Sequence, residues 1–302
     1  MNALVIGFGS IGKRHVEVLS KTELIEKIDI VTAQNISGYK TFKSLEKIDD
    51  LDQYDYFVIA SETFKHFDQI DYLEKKTKNK IIFCEKPLFE SDRELKIVNN
   101  DVFVGYVLRF HPLLQKLKSL LENEKILSAT INCGQYLPTW RNGIDYRISY
   151  SAHKSKGGGV LLDLSHEIDY AQWLFGNMID IRSYQTKISD LEIDSDDLVT
   201  MISKTEKGIV ITLSINYISK ITYRKIMVHT NENTYELDFI NSLLIQKNKD
   251  GSELKYQSEV LERNTMFEKM HTSVLSDHRS ICTYQEAQNV MKTISMIQEQ
   301  NR

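Results

Sequence analysis

Two stretches of this 302-residue chain carry residue types that could move a proton. In Ile81-Ile82-Phe83-Cys84-Glu85-Lys86-Pro87 a near-apolar run ends abruptly in a carboxylate, an ammonium and a proline. The run reads as a strand buried on both faces. In an open parallel sheet, ligands bind beyond the carboxyl ends of the strands, so these two charges stand where chemistry would be done. Pro87 fixes its own φ and keeps Lys86 out of the helical region, which limits where the ammonium can aim. The same heptapeptide also fits a strand that ends in a surface ion pair. The second stretch runs from Gly157-Gly158-Gly159 through Asp163, His166 and Asp169. Read as one helix from Leu161 to Leu174, it puts Asp163 and His166 on a shared face, and His166 and Asp169 likewise. An imidazole titrating at about pH 6.5 can take or give a proton, and a carboxylate can orient it. Its plain alternative is a helix with surface charges, Asp163 complementing the dipole.

The elements that must hold these residues follow from apolar periodicity. Ala3 to Ile6 is a short apolar run, followed by Gly7-Phe8-Gly9-Ser10-Ile11-Gly12 and a helical pattern to Leu19. This is G-x-G-x-x-G after a strand and opening a helix, the context in which it binds a dinucleotide. Gly7 serves the tight turn, Gly9 the approach of a pyrophosphate and Gly12 close helix–strand packing, with the helix N–H groups facing the phosphates. Further strands are expected at 28–32, 56–60, 81–84 and 102–105. Helices are expected at 64–76 with Thr63 as cap, at 91–99 with Ser91 as cap, and at 113–121. Strands alternating with helices predict a parallel, right-handed α/β sheet. From Ile126 the pattern changes to strand-like runs at 126–135, 179–187, 198–203, 208–215, 224–230, 234–239 and 243–246, with turn signals at Glu232-Asn233 and Asp250-Gly251. Long helical regions at 264–280 and 284–300 complete the chain. The fold class is therefore α/β: an N-terminal Rossmann parallel sheet over residues 1–122, then a C-terminal α+β domain over 123–302 with a large, mostly antiparallel open sheet.

Hydrophobic residues make up 41% and charged residues 26%, a globular balance, and the net charge of −4 argues against a general nucleic-acid or anionic-membrane footprint. No signal-peptide pattern or membrane-length apolar run is present. Three scattered cysteines, Cys84, Cys133 and Cys282, argue against a disulfide framework and fit a reducing cytoplasm. No metal-binding motif is found. After the 28–32 strand, where an acid would hold a ribose 2′-hydroxyl, the residues are Thr32-Ala33-Gln34-Asn35. No arginine replaces the acid, and Lys40 and Lys43 lie farther along. NAD and NADP both stay open, with a lean to NADP because the repelling carboxylate is missing.

Several of these residues together resemble the Gfo/Idh/MocA oxidoreductases. They are Gly7 to Gly12 with Arg14-His15, Asp55-Tyr56 with His66, Glu85-Lys86-Pro87, Gly105-Tyr106 with Arg109-Phe110 and Pro112, and Gly157 to Asp169 with Gly176. The resemblance covers roughly residues 1–180. It implies hydride transfer between nicotinamide and a secondary alcohol or ketone of a sugar, nucleotide sugar or cyclitol, in surface-polysaccharide or modified-sugar synthesis. It implies Lys86 as the group that hydrogen-bonds the reacting hydroxyl, His166 as general acid–base and Asp163 as its companion. The implied cofactor set is Gly7, Gly9, Ser10, Ile11, Gly12, Arg14, Thr32, Ser61, Glu62, His66, Glu85, Lys86 and Arg109. The implied substrate set is Lys86, Tyr136, Trp140, Tyr146, Asp163 and His166; the three aromatics also fit plain core positions.

Physical chemistry supports the lysine independently. An alcohol must lose a proton as its hydride leaves, and a desolvated lysine has its pKa drawn toward neutrality. Three departures from the family pattern stand out: Glu62-Thr63 where many members have proline, Asp163 three rather than four residues before the histidine, and the absent ribose acid. The expected partners are a small carbohydrate and further copies of the chain, as a dimer or tetramer, with neither nucleic acid nor membrane. The competing readings are a non-catalytic dinucleotide-binding regulator or assembly partner, and a redox-neutral lyase or glycosidase that retains its cofactor.

Overall fold

The computed structural model describes residues 1–141, 143–259 and 261–301. The chain forms two compact units: Met1–Phe110 with Leu261–Gln288, and His111–Val260 with Asn289–Arg302.

The first unit opens with β1 (Asn2–Ile6), α1 (Ser10–Leu19), β2 (Lys27–Val31), the two-residue β3 (Thr41–Phe42) and β4 (Tyr56–Ile59). A 3-10 turn at Thr63–Lys65 leads into α2 (His66–Lys76), followed by β5 (Ile81–Cys84) and β6 (Asp101–Val104). These strands are all parallel, and apart from the two-residue β3 they are buried for most of their length, which is why they read as continuous apolar runs. Their order, β6-β5-β4-β1-β2-β3, is that of a Rossmann sheet. Ile6 pairs with both Val31 and Ile59, Ile59 with Cys84, and Cys84 with Val104. Gly7, Thr32, Ala60, Glu85 and Gly105 therefore leave the sheet at one common edge. Thr63 lies inside the 3-10 turn rather than capping α2, and its side chain makes no cap bond there.

The helix expected over 91–99 does not form. Glu74, buried on α2, accepts the backbone N–H groups of Val98 and Asn99 at 2.7 and 2.6 Å, and Tyr284 Oη accepts that of Leu95 at 2.7 Å. Side chains from elsewhere satisfy donors that a helix would have satisfied locally.

The second unit contains α3 (Pro112–Leu121), with Pro112 in its first turn and Leu113, Leu114, Leu117 and Leu121 buried, then the long strand β7 (Ile126–Gly134) and the short α4 (Leu137–Trp140). Three 3-10 turns follow, then α5 (Val160–Asp163) and α6 (His166–Phe175). The remaining strands are β8 (Met178–Thr186), β9 (Leu198–Thr205), β10 (Val210–Asn216), β11 (Tyr223–Thr230), β12 (Asn233–Asp238), β13 (Leu243–Asn248) and β14 (Glu253–Gln257). They assemble in the order β14-β13-β12-β11-β7-β10-β9-β8, with β7–β10 the one parallel pair of this sheet among the described residues. On the covered face lie Ala129, Ile131, Val199, Met201, Leu213 and Ile226, whereas the other face exposes Ile202, Val210 and Met227. The single helix expected from Leu161 to Leu174 is broken at Leu164-Ser165, so Asp163 and His166 do not share one helical face.

After β14 the chain returns to the first unit. There α7 (Thr265–Leu275) buries Phe267, Met270, His271 and Val274 and packs on α1 and β5. The strand β15 (Cys282–Thr283) then pairs antiparallel with β6, Cys282 opposite Val104, and α8 (Tyr284–Gln300) begins. The helix α7 ends five residues short of the expected Ser280, where His278 and Ser280 take positive φ. All three cysteines are buried and none forms a disulfide. Among the described residues no helix is long and apolar enough to cross a membrane.

Candidate functional site

The turn between β1 and α1 shows why three glycines are spaced as they are. Gly7 has φ +101°, and a Cβ there would lie 2.6 Å from the carbonyl oxygen of Ala60. A Cβ on Gly12 would lie 2.2 Å from the carbonyl oxygen of Gly7, so α1 can press against the turn only without one. Gly9 is different. Its φ is −75°, and a Cβ would meet nothing within 4 Å among the described residues. The protein does not need glycine there, but a ligand approaching the backbone does. The N-terminus of α1 has neither a side-chain cap nor an acidic residue in its first turn, and Ser10 is exposed. This cradle fits a dinucleotide pyrophosphate. Gly9→Ala is therefore expected to leave the melting temperature within about 2 °C while weakening dinucleotide binding about tenfold or more. Gly12→Ala should lower the melting temperature as well. Thermal scans with calorimetry on both variants check this, and tight binding by Gly9→Ala would count against the cradle.

The other first-unit candidates divide into outward and inward groups. Ser61 Oγ donates to Gln69 at 2.7 Å, and Glu62 is exposed and paired with Lys65 at 2.9 Å. Arg14 is half-buried, its guanidinium 5.1 Å from the Phe267 ring centroid. Thr32 is buried and its hydroxyl accepts Gln34 N–H at 3.1 Å. His66 is buried between two loops, with Nδ1 3.1 Å from the carbonyl of Pro87 and Nε2 3.2 Å from that of Ser61. Burial keeps its pKa low despite these carbonyls. Arg109, also buried, pairs with Glu286 at 3.1 Å and reaches the carbonyl of Ile281. What the His66 and Arg109 side chains touch here is protein.

Glu85 is the outer member of a line of buried polar groups. Its Oε1 is 2.9 Å from His15 Nε2, His15 Nδ1 is 2.8 Å from His271 Nε2, and His271 Nδ1 is 2.7 Å from Tyr56 Oη. An ionised Glu85 only accepts. His15, His271 and Tyr56 thus form one continuous line of hydrogen bonds behind the carboxylate. Burial and then His15 hold the His271 pKa well below the usual histidine range, and burial pushes the Tyr56 phenol up. Gly105 leaves room for the carboxylate, because a Cβ there would lie 2.9 Å from Glu85 Oε1. Lys86 follows immediately and is half-buried, and its peptide to Pro87 is cis.

In the second unit Asp163 is buried at the end of α5. Its Oδ2 accepts Ser151 Oγ and Tyr217 Oη, each at 2.6 Å, tying the 3-10 turns and the end of β10 to α5. His166, half-buried, opens α6. Trp140 and Tyr146 line one small depression with Leu137, Arg141, Ile144 and Ser149; Tyr136 is not in it and lies under Lys220, whose Nζ is 4.6 Å from the ring centroid. Beneath His166, Glu167 is fully buried and accepts Arg224 Nε at 2.7 Å. Among the described residues no group of three or more His, Cys, Asp or Glu side chains is placed to hold a metal ion.

The residues missed as site residues from sequence are His271 and Tyr217, while His15 and Tyr56 stand out only within the family pattern. A histidine on the inward stripe of α1, beside Val16 and Leu19, was the available signal for His15. His271 had none, because its partner is 256 residues away.

Comparison with known proteins agrees with this fold. Residues 1–100 match an oxidoreductase family with an NAD-binding Rossmann fold, and residues 114–237 match the GFO/IDH/MocA C-terminal domain. The class defined is that of NAD-binding oxidoreductases. The chain belongs to the Gfo/Idh/MocA family of these enzymes. An uncharacterized oxidoreductase of Streptococcus pneumoniae is 27% identical over 190 residues, covering 58% of this chain and 50% of that protein. The uncharacterized oxidoreductase YrbE of Bacillus subtilis is 30% identical over 192 residues, covering 58% and 54%. The chain thus spans about half the length of the curated relatives it matches. Levoglucosan dehydrogenase in complex with NADH superposes with a TM-score of 0.83 at 17% identity, over 99% of this chain and 96% of that one. UDP-N-acetylglucosamine 3-dehydrogenase GnnA from Acidithiobacillus ferrooxidans gives 0.78 at 16% identity, over 100% and 97%. These two structures share the fold.

Proposed function

We propose that the protein is a nicotinamide-dependent oxidoreductase acting on a secondary alcohol or ketone of a sugar, nucleotide sugar or cyclitol. The observation that carries this reading is the alignment of the Gly7 turn and Glu85-Lys86 on one edge of the Rossmann sheet, with the Glu85 carboxylate fastened from behind by His15. A bound nicotinamide supplies or accepts the hydride. Lys86 is assigned to the substrate hydroxyl, which it hydrogen-bonds and whose proton it takes or returns. His166 is assigned as the acid–base group of the second unit. Gly9, Ser10, Ile11 and Arg14 are assigned to the cofactor phosphates, and Thr32, Ser61 and Glu62 to its rim. His66, Arg109 and Asp163 act as positioning residues, since each is buried against protein partners. Trp140 and Tyr146 offer apolar ring faces of the kind that sugar C–H groups pack on, with Tyr136 a further candidate. The two structures named above, a levoglucosan dehydrogenase and a nucleotide-sugar dehydrogenase, support the substrate class by analogy of fold.

The test is calorimetry of the full chain with NAD(H) and NADP(H), followed by nicotinamide absorbance with a panel of sugars, nucleotide sugars and cyclitols. Binding of one cofactor pair and turnover of a panel member are expected. Failure to bind any of the four overturns the reading. Binding without turnover of any panel member favours a dinucleotide-binding regulator.

A further inference from the structure

Cofactor choice in a Rossmann fold is made at the end of the second strand. A carboxylate there accepts the ribose hydroxyls and repels a 2′-phosphate, whereas a cation does the reverse. Here the strand ends in Thr32-Ala33-Gln34-Asn35, and the nearest lysines are distant in sequence. The structure closes that distance. Strand β3 lies parallel to β2, Ile30 opposite Thr41 and Val31 opposite Phe42, and Thr32 N–H donates to the carbonyl of Phe42 at 2.9 Å. Lys43 therefore leaves the sheet beside Thr32. Its Nζ sits 3.1 Å from the carbonyl oxygen of Ala33 and 3.1 Å from Asn35 Oδ1. Both partners are neutral and the side chain is exposed. The one acid on β2, Asp29, is buried and already held by Lys27 at 2.8 Å and Tyr54 at 2.7 Å. Lys40 is not placed with it, its Nζ lying 5.0 Å from the Phe42 ring centroid.

We propose that Lys43 is the residue that sets cofactor specificity, its ammonium receiving the 2′-phosphate of the adenosine so that NADP(H) is preferred over NAD(H). The inference rests on the dinucleotide-binding reading above. Two hydrogen bonds to neutral oxygens would be exchanged for a charge-assisted one to a phosphate, which is the stronger interaction. An exposed lysine can make this exchange without disturbing the sheet. Thr32 retains a hydroxyl hydrogen to offer the same group.

Calorimetry of the full chain with NADPH, NADH and 2′,5′-ADP tests this without any substrate. NADPH should bind at least about tenfold more tightly than NADH. Lys43→Ala should weaken NADPH and 2′,5′-ADP about ten- to hundredfold while changing NADH less than about twofold. Lys43→Arg should retain the preference. Melting temperatures of the unliganded variants should match the wild type, which separates a binding loss from misfolding. A wild-type preference for NADH, or an unchanged NADPH-to-NADH ratio in Lys43→Ala, overturns the assignment while leaving the dinucleotide-binding reading intact. Absence of binding by either cofactor overturns both.

Discussion

Lys86→Met is expected to cut turnover by about 10²–10⁴ while dinucleotide affinity stays nearly unchanged. Methionine keeps the unbranched stem that packs at the end of β5 and removes only the ammonium. The reacting hydroxyl then loses the amine proposed to take its proton. In the role proposed for it, the lysine acts in a step in which charge develops on oxygen, so the loss should fall on kcat and kcat/KM together rather than on KM alone. Lys86→Arg should fail as well. A guanidinium fills the space and keeps the charge but does not give up its proton at any accessible pH. Steady-state and single-turnover nicotinamide absorbance, with calorimetry on the same preparations, check this. Normal turnover in Lys86→Met would remove Lys86 from the chemistry. A parallel loss of cofactor affinity would instead make it a cofactor-binding residue. His166→Asn, assayed separately, is expected to distort the pH profile of kcat while sparing dinucleotide binding.

His271→Phe is expected to destabilise the protein by about 2–5 kcal/mol. Phenylalanine fits the ring volume but leaves Tyr56 Oη and His15 Nδ1 facing an apolar group, and both residues are 0% exposed. Each orphaned buried group costs about 1–3 kcal/mol. Tyr56→Phe removes only the innermost hydroxyl and should cost less. The same histidine makes stability pH-dependent. Its pKa in the fold is depressed by burial and by His15, while the unfolded chain takes up the proton at about pH 6.5. His66 is depressed in the same direction. The unfolded state therefore binds more protons than the native state below that pH. Stability contributed by the neutral rings is complete above about pH 6.5 and falls on acidification, by up to about 1.4 kcal/mol per pH unit for each proton. Urea unfolding of the wild type at pH 7.5, 6.5 and 5.5 should show this decline, and His271→Phe should show a shallower one from its lower starting point. A flat wild-type profile across that window would contradict the depression of His271 and His66 by burial.

This line of groups also bears on function. Glu85 stands next to Lys86, and its carboxylate is held by His15, which is itself held by His271 and, behind it, Tyr56. Loss of His271 removes the hydrogen bond that orients the His15 ring, so Glu85 loses a fixed partner along with the packing beneath it. Stability and cofactor affinity should therefore decline together in this variant, unlike in Gly9→Ala.

The amino-acid sequence by itself determined whatever is local. Fully buried parallel strands must be apolar on both faces, so β1, β4 and β5 were legible within a residue or so. Gly7 and Gly12 were legible because backbone conformation and helix packing at a strand–helix turn forbid a Cβ. Glu85-Lys86-Pro87 stood out because charge follows a buried run at once, and the tract at 284–300 is a helix as its periodicity predicted. What only the tertiary structure decided are the arrangements whose hydrogen-bond partners come from remote segments. Asp196 accepts Leu161 N–H at 3.0 Å at the start of α5, and Ser151 and Tyr217 engage Asp163 at its end, so the expected continuous helix splits before His166. Glu74 and Tyr284 take over the donors of 91–99 and unmake a helix that its own residues favoured. The short β3 carries Lys43 to the end of β2, and α7 brings His271 to His15. In each case the preference of a segment is worth a few tenths of a kcal/mol per residue, whereas leaving a buried polar group without its partner costs more. The segment yields to the partner, and the identity of that partner exists only once the chain has closed.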